Sequence, residues 1–427
     1  MAQQKCFKHE GMTIIGGEIM HYNTIIVGAG AAGLFAAQAL AKKQQRVLLI
    51  ERNSKAGKKL LISGAGQCNF THAGEIEDFF TCYDDKIKFL KKALLYFDNK
   101  QTMTFFQNAG VAYQVLPNAK VFPKTMNSQD ILNALLIACQ KVNVEMKYNQ
   151  LVERIDVYDS IFTVEVNSGE RYFCNQLIMA TGGKSYPQTG SDGKGYQLAQ
   201  ELGHTIIEPR PALTDVRLVE RCFKDIAGLS VKQSEVTIWR EQKKIRSYCG
   251  DLLFTHRGLS GPIILNSSRW MKAKDTLTIN FLYPKSYEEI KAYFASEIPK
   301  RGKEELITFL KQLLLPKNLY QALCSYMDID MHQSCAELPK KQREALVNIL
   351  TRCPLHIEEL GDFHIAMVTT GGVHLKEVNP TTLESRIQKG LYFIGEVLDF
   401  DGDTGGYNLQ AAFSTAALCA KSIIDKK

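Results

Sequence analysis

Apolar residues near the start of the chain follow the periods of a strand, a helix and a second strand. Residues 23–27 are almost continuously apolar, which is typical of a strand buried on both faces of a parallel sheet. Residues 31–44 carry a helical pattern, and residues 46–51 form another apolar run that ends at Glu51. This order within about 30 residues predicts a mononucleotide-binding unit.

The pattern continues as alternating helices and strands as far as residue 204. Residues 86–109, 128–141 and 191–204 have helical patterns. The segment VERIDVYDSIFTVEV predicts a hairpin with its turn at Tyr158–Ser160. Residues 176–183 form a third apolar strand that ends in a glycine doublet. We therefore expect this part of the chain to form one α/β unit.

The pattern changes at about residue 205, where Pro209 and Pro211 mark a boundary. Short alternating segments at 234–239 and 275–283 predict an antiparallel β domain, and residues 286–350 are helical and charged. The last segment, from GLYFIGEVLDF onward, again has a strand, a glycine-rich loop and a helix. It therefore belongs with the first 200 residues.

These patterns predict an α/β fold in which a Rossmann-like domain is interrupted by an inserted β-barrel-like domain and a small helical domain. The predicted segments are an N-terminal extension (1–22), a first nucleotide-binding part (23–204), a first inserted β part (205–285), a helical domain (286–350), a second inserted β part (351–368) and a second nucleotide-binding part (369–427).

Composition limits the partners and the compartment. The 52 basic and 45 acidic residues give a net charge of +7 that is dispersed along 427 residues, so we expect a small-molecule substrate rather than nucleic acid or a membrane. Eleven cysteines without a C-x-x-C spacing indicate reduced thiols and no metal site. Neither a signal peptide nor a membrane-length apolar run is present, which predicts a cytoplasmic protein. A monomer and a dimer are both compatible with the sequence.

The string GAGAAG at 28–33 carries the first candidate chemistry. In such a motif the first glycine permits a tight turn, the second admits a pyrophosphate, and the third lets the helix pack on the sheet. Glu51, 18 residues after Gly33, could accept hydrogen bonds from both ribose hydroxyls and would disfavour a 2′-phosphate. The predicted dinucleotide site comprises Gly28, Gly30, Ala31, Ala32, Gly33, Glu51 and Arg52.

Two further features favour FAD over NAD. The string ATGG at 180–183 ends a strand in small residues, beside which a dinucleotide can lie. The tail places Gly395 and Glu396 at a strand end and Gly406, Tyr407 and Asn408 at the start of a second helix. The N1–C2=O edge of a flavin gains negative charge on reduction, and a helix N-terminus stabilises that charge.

Several longer strings are specific to one family. The chain contains GKKLLISGAGQCNFTH, ATGGKSYPQTGSDGKGYQLAQELGH, LLFTHRGLSGPIIL, TTGGVHLKEVNPTTLESR and GLYFIGEVLDFDGDTGGYNLQAAFS. Over residues 22–424 it resembles the bacterial YhiN-type (BaiN-like) flavoprotein family, whose members are called aminoacetone oxidases or 3-dehydro-bile acid reductases. The resemblance implies FAD and a two-dinucleotide-binding-domain flavoprotein fold. Ala65 and Gln67 depart from the family's SGGGRCN string, which removes one cation.

The resemblance also implies roles for individual residues. Lys59, Gly64 and Asn69 would lie along the pyrophosphate and ribityl chain, and Val152 would meet adenine through its backbone. The other implied contacts are Thr181, Gly182 and Gly183 beside the nucleotide, Glu396 and Asp399 near pyrophosphate or ribityl hydroxyls, and Gly406, Tyr407, Asn408 and Leu409 near the flavin pyrimidine.

Candidates for substrate chemistry are fewer. His256, in FTHRGLSGP, could donate a proton or anchor substrate, although a hydrogen-bonded structural histidine is the commoner role of a lone histidine. Tyr186 could donate a phenol proton or pack beside the cofactor. Cys68 has no cysteine close in sequence and is expected to be a packed residue.

The leading hypothesis is an FAD-dependent oxidoreductase that transfers hydride to or from flavin N5. It would act on a small organic molecule, either as an NAD(P)H-linked reductase or as an amine or ketone oxidase. A flavin-dependent RNA-modifying protein and a non-catalytic flavin redox sensor are the alternatives.

Overall fold

The computed structural model describes residues 21–43 and 45–426. Residues 1–20 of the predicted N-terminal extension lie outside these ranges, whereas His21 and Tyr22 begin the first strand. The described strands are β1 (His21–Val27), β2 (Val47–Ile50), β3 (Thr71–His72), β4 (Tyr113–Val115), β5 (Lys120–Pro123), β6 (Glu145–Lys147), β7 (Val152–Tyr158), β8 (Ile161–Val166), β9 (Arg171–Met179), β10 (Ile206–Ala212), β11 (Val216–Leu218), β12 (Ser230–Arg240), β13 (Lys243–Phe254), β14 (Gly258–Ser260), β15 (Thr276–Asn280), β16 (Cys353–Leu360), β17 (Val368–Val373) and β18 (Leu391–Phe393).

The described α-helices alternate with these strands in the first part of the chain and cluster after β15. They are α1 (Ala31–Ala41), α2 (Lys58–Ile62), α3 (Ile87–Tyr96), α4 (Asn99–Asn108), α5 (Ser128–Lys141), α6 (Lys194–Glu201), α7 (Pro262–Ser268), α8 (Tyr287–Glu297), α9 (Leu306–Leu310), α10 (Lys317–Tyr326), α11 (Lys340–Arg352) and α12 (Tyr407–Asp425).

The main sheet has the strand order β6-β2-β1-β9-β8-β7, and β18 also pairs with β9. Strands β6, β2, β1 and β18 run parallel to their neighbours, and β9 is parallel to β1 and β18 but antiparallel to β8. Strands β7 and β8 form an antiparallel hairpin. The first half of β9 pairs with β8, and its last residues pair with β18. A strand from near the end of the chain therefore completes a sheet that the first 200 residues begin.

Helices α1 and α12 pack against each other beside this sheet. Both are rich in alanine, and almost every residue of α12 from Gln410 to Ala420 is buried. Phe35 of α1 contacts Phe413 of α12 with a ring-centroid distance of 5.5 Å, and it lies 4.9 Å from each of Phe97 and Phe105. Small residues allow close helix packing, and the aromatic cluster fixes how the two helices meet.

The insert contains a closed six-stranded barrel with the order β11-β14-β13-β12-β15-β16. Closure leaves none of these six strands with an open edge. Helices α8 to α11 lie in sequence between β15 and β16, and their buried side chains share one continuous hydrophobic cluster with the barrel interior. The barrel and these helices are thus one packed body.

The chain enters and leaves the insert along the two-stranded ribbon formed by β10 and β17. Pro209 and Pro211 lie within β10, whose described partner is β17 alone. Such a strand tolerates proline because one side of it needs no N–H donor. The prolines thus occur inside a strand and not in a linker.

Two predicted helices differ in extent from the observed ones. The predicted helix over 86–109 is two helices: the first ends at Tyr96, and Asp98 caps the second by accepting from the Gln101 N–H at 2.7 Å. The predicted helix over 191–204 begins only at Lys194, after Gly193 with φ +88°. The hairpin turn at Tyr158–Ser160 and helix α5 are confirmed.

The fold class predicted from sequence is confirmed, since a Rossmann-like α/β domain is combined with a closed barrel and helices. Across the described ranges, no helix combines the length and apolar character needed to cross a membrane.

We expect Phe413→Ala to lower the free energy of unfolding by about 3–5 kcal/mol, because it removes a fully buried ring from the contact between α1 and α12. Phe413→Leu keeps most of the apolar volume and should cost less than half as much. Chemical denaturation of both variants tests this, and equal loss in the two would contradict the expectation that buried apolar volume sets the contribution of this residue.

Candidate functional site

A cavity of about 640 Å³ lies at the carboxyl ends of the parallel strands, where the insert meets the main sheet. Val27, Ile50 and Ala180, at the ends of β1, β2 and β9, all line it. Ligands of open parallel sheets bind at this edge. The structure therefore places a cavity of this size where the sequence predicts a nucleotide.

The three motif glycines differ in what surrounds them. Gly28 has φ +106°, and a Cβ there would lie 2.5 Å from the carbonyl oxygen of Ala180. A Cβ on Gly33 would lie 1.9 Å from the carbonyl oxygen of Gly28, so α1 can approach the turn only without a side chain. Gly30 has φ −81°, and a Cβ on it would meet nothing within 4 Å. Protein packing thus explains Gly28 and Gly33, whereas Gly30 faces open space in the cavity, where a ligand could approach the backbone.

The carboxylate of Glu51 is buried at the end of β2 and lines the same cavity. It accepts from the Ala29 N–H at 2.9 Å, and from the N–H and side-chain amide of Asn53 at 2.9 and 2.7 Å. These bonds hold the carboxylate beside the glycine turn. Because a carboxylate can accept about four hydrogen bonds, capacity remains for a ribose hydroxyl.

Two buried hydroxyls on the cavity wall have no hydrogen-bond partner among the described residues. They are Thr181 Oγ1, just after β9, and Ser191 Oγ, in the loop before α6. An unsatisfied buried hydroxyl is costly, so a polar ligand at this wall would restore lost hydrogen bonds. Together with the space at Gly30 and the carboxylate of Glu51, these hydroxyls fit the ADP half of FAD.

The start of α12 lines another part of the cavity through Gly406, Asn408 and Leu409. Gly406, with φ +92°, is the N-cap residue of α12, and Gly30 is the N-cap residue of α1. Neither helix has a side-chain hydrogen bond at its N-cap. The first N–H groups of both helices therefore lack a capping side chain, and each helix contributes partial positive charge. Two helix N-termini at one cavity fit the pyrophosphate and the electron-rich edge of the flavin.

An ion pair lies on the wall between these two ends. Lys59 Nζ is 2.6 Å from Glu396 Oε2, and Glu396 Oε1 accepts from the Thr369 N–H at 2.9 Å. Both ionic side chains are partly buried and line the cavity. They bring α2, from the first part of the chain, to the loop after β18.

The insert supplies an apolar wall. Leu213, Leu265, Met367 and Val368 line the cavity from the segments around β10, α7 and β17. Met367 is 45 % exposed and Ile62, from α2, is 40 % exposed, so the apolar surface continues to the mouth of the cavity. Such a wall suits a flat, weakly polar ring.

Most of the residues predicted to bind cofactor lie together around this cavity. Those that line it are Gly28, Gly30, Ala31, Ala32, Glu51, Arg52, Lys59, Gly64, Asn69, Val152, Thr181, Gly182, Gly395, Glu396, Gly406, Asn408 and Leu409. Those that do not line it are Gly33, Gly183, Asp399 and Tyr407.

Local packing accounts for the residues outside the cavity wall. A Cβ on Gly183 would lie 2.5 Å from Thr369 Oγ1, so this glycine serves the contact with β17. Asp399 is buried and pairs with Lys86 Nζ at 2.6 Å. The ring of Tyr407 stacks on His72 at a centroid distance of 5.0 Å. The side chains of Asp399 and Tyr407 thus pack outside the cavity wall and hold the loop between them in place.

Of the two predicted catalytic candidates, one lines the cavity and the other does not. Tyr186 lines the cavity, and its hydroxyl donates to the Ile365 carbonyl at 3.4 Å. His256 is exposed in the turn between β13 and β14 and does not line the cavity. Cys68 is fully buried, and burial raises the pKa of its thiol to about 12, which agrees with the expected packing role.

Sequence reasoning did not identify Asp403 or Arg269. Asp403 lines the cavity in the loop before α12, and its Oδ1 accepts from Arg269 Nη1 at 2.8 Å. Arg269 follows α7 in the insert and is almost completely buried. The string DGDTGG was a local sign of a special loop, but its partner is 134 residues away in sequence.

Comparison with known proteins supports the same cofactor. The family described as HI0933-like protein Rossmann domain matches residues 22–422. The chain is 32% identical over 413 residues to a ribosomal RNA dihydrouridine synthase from Escherichia coli (strain K12), covering 95% of this chain and 99% of that protein. It is 29% identical over 409 residues to a 3-dehydro-bile acid delta(4,6)-reductase from Clostridium scindens, covering 94% and 98%.

A solved structure is also similar in fold. A flavocytochrome c3 fumarate reductase in an open conformation gives a TM-score of 0.50 at 15% identity, covering 96% of this chain and 79% of that chain. This similarity concerns architecture alone.

We expect Gly30→Val to leave the fold intact and to abolish most FAD binding, because the new side chain enters space that no described protein atom fills. Gly33→Ala is the matched control: its Cβ would meet the Gly28 carbonyl oxygen, so it should lower the stability of the apoprotein itself. The ratio of flavin to protein absorbance and thermal unfolding of the apoproteins separate the two effects. Normal FAD content in Gly30→Val would contradict this assignment.

Proposed function

The chain belongs to the HI0933-like family and is an FAD-dependent oxidoreductase, and from this premise we propose that it reduces a carbon–carbon double bond conjugated to a carbonyl group, with uridine in ribosomal RNA as the substrate. The observation that carries the proposal is the similarity, over nearly the full length of both chains, to the ribosomal RNA dihydrouridine synthase. The insert, which lines the cavity, is part of that match.

The names of the two relatives describe one kind of reaction. Dihydrouridine is uridine with a saturated C5–C6 bond, and that bond is conjugated to the C4 carbonyl. A delta(4,6)-reductase of a 3-dehydro-bile acid likewise acts on double bonds conjugated to a ring carbonyl. Reduction of such a conjugated bond by hydride adds the hydride to the carbon remote from the carbonyl and a proton to the carbon next to it. FAD, when bound, supplies the hydride chemistry.

The cavity of this chain suits such a ring. Leu213, Leu265, Met367 and Val368 provide an apolar wall, and the start of α12 lines the same space. A base paired within RNA cannot reach an internal cavity, so the uridine would have to leave its stack or lie in a single-stranded loop. The exposed apolar side chains of Ile62 and Met367 at the mouth could pack against the unstacked base.

The net charge of +7 is compatible with RNA, although its dispersion led to the expectation of a small-molecule substrate. That expectation remains a prediction, and the bile-acid reductase is the observation that favours it as a second candidate. In either case we propose NADH or NADPH as the source of electrons.

We expect the FAD-loaded protein, supplied with NADPH or NADH, to convert uridine to dihydrouridine in ribosomal RNA transcribed in vitro. The product is two hydrogen atoms heavier and is detected by mass spectrometry of the nucleosides. Gly30→Val, which should not hold FAD, is the negative control. Unsaturated 3-oxo steroids, free uridine, and aminoacetone with oxygen are tested in parallel.

The outcomes distinguish the hypotheses. Reduction of the steroid but not of RNA would contradict RNA as the substrate and favour a small molecule. Oxygen consumption with aminoacetone alone would identify an oxidase. A protein that is reduced and reoxidised without converting any of these compounds would contradict the proposed reductase and favour a redox sensor.

A further inference from the structure

A group of charged side chains, most of them buried, lies behind the loop that precedes α12. Arg269 contacts three carboxylates: Asp401 through a short bond to its side chain, Asp403 at 2.8 Å and Asp84 at 3.2 Å. Arg246, from β13, is 2.5 Å from the other oxygen of Asp84. The group thus joins the first part of the chain, the insert and the tail.

The charges of this group do not balance when all members are ionised. Two arginines face three carboxylates, which leaves one negative charge in surroundings of low polarity. An uncompensated buried charge is strongly unfavourable, so one of the three carboxylates can lower the free energy of the group by binding a proton. The group therefore has a place for one proton.

Access to the cavity indicates which of the three carboxyl groups can pass a proton to a substrate and regain it from solvent. The side chain of Asp401 is 4% exposed and that of Asp84 is 9% exposed, whereas that of Asp403 is 22% exposed. Asp403 also lines the cavity, and Asp84 and Asp401 do not. Burial raises the pKa of Asp403 to about 6 despite the opposing effect of Arg269, and Asp84 and Asp401 raise it further.

The loop that carries Asp403 is held on several sides. Asn408 accepts from the Gly402 N–H at 2.8 Å and donates to its carbonyl at 2.9 Å, while Asn266 of α7 accepts from the Thr404 N–H at 2.8 Å. The charged and titratable groups that act on Asp403 from the surrounding elements are Cys82 and Asp84 from the segment before α3, Tyr248 of β13, Arg269 after α7, Asp401 of the same loop, and Tyr407 of α12.

We propose that Asp403 is the proton donor of the reduction and that Arg269 is its positioning residue. The inference rests on the proposed function, in which the substrate gains a hydride and a proton. The O–H bond of Asp403 breaks, and a C–H bond forms at the carbon next to the carbonyl. The resulting carboxylate stays paired with Arg269, and solvent returns the proton through the exposed part of the side chain. NADH or NADPH supplies the two electrons and the hydride through FAD.

The test separates the two half-reactions of the holoenzyme by stopped-flow absorbance. In Asp403→Asn, bleaching of FAD by NADPH should keep its wild-type rate, while reoxidation by the conjugated substrate should slow about 100-fold. Wild-type reoxidation should fall as pH rises through about 6, since only the protonated carboxyl can donate, and the variant should lose this dependence. Asp403→Glu should restore the dependence at a lower rate.

Asp401→Asn is the matched comparison, because it removes another carboxylate from Arg269 without touching the cavity wall. It should lower thermal stability and move the pH dependence of reoxidation to lower pH without abolishing it, because Asp401 raises the pKa of Asp403. Asp403→Asn with the wild-type rate and pH profile would overturn the proposal. Equal slowing of both half-reactions, or loss of FAD, would assign Asp403 a structural role and overturn it as well.

A spectral titration gives a readout that does not need turnover. The visible absorbance of bound FAD should shift with pH near 6 in the wild type and at lower pH in Asp401→Asn, and it should show no such shift in Asp403→Asn. If no conjugated compound reoxidises the wild type, the proposed function fails, and this titration alone decides whether Asp403 ionises beside the cofactor. Identical titrations in the wild type and Asp403→Asn would contradict that.

Discussion

The packing of α12 on α1 is the contact on which the candidate site depends. Each helix begins at an uncapped glycine, and both N-termini lie on one cavity. Their separation is fixed by small side chains along the contact, by the ring of Phe35 against Phe413, and by the pairing of β18 with β9. The geometry that can accept a pyrophosphate and a flavin is thus set by packing between distant parts of the chain.

Sequence alone predicts the parts of this arrangement that depend on local spacing. The roles of Gly28 and Gly33 follow from the motif, and the cavity contains the space expected beside Gly30. The position of Glu51 follows from the strand that it ends. The return of the tail to the first domain was also predictable, because its apolar strand and glycine-rich loop match the pattern of the first 200 residues and not that of the insert.

Other features depend on distant contacts and leave no local pattern. Arg269 and Asp401 are 132 residues apart, and neither lies in a recognisable spacing with the other. His256 stood out because histidine is often functional, but the barrel directs its turn to solvent. Asp399 and Tyr407 lie next to cavity residues in sequence, yet Lys86 and His72 draw their side chains away from the cavity. Adjacent residues in a tight loop point in different directions, so proximity in sequence is a weak guide there.

The β10–β17 ribbon has a consequence for how this architecture can diversify. Both crossings between the two bodies run through neighbouring strands, and the Met367 N–H donates to the Leu213 carbonyl at 3.3 Å where they meet the insert. The chain therefore passes between the two bodies at one place only within the described residues. Substitutions on the cavity-facing surface of the insert can change substrate specificity without altering the residues of the Rossmann-like domain that line the cofactor site. One fold can therefore serve enzymes that act on very different molecules.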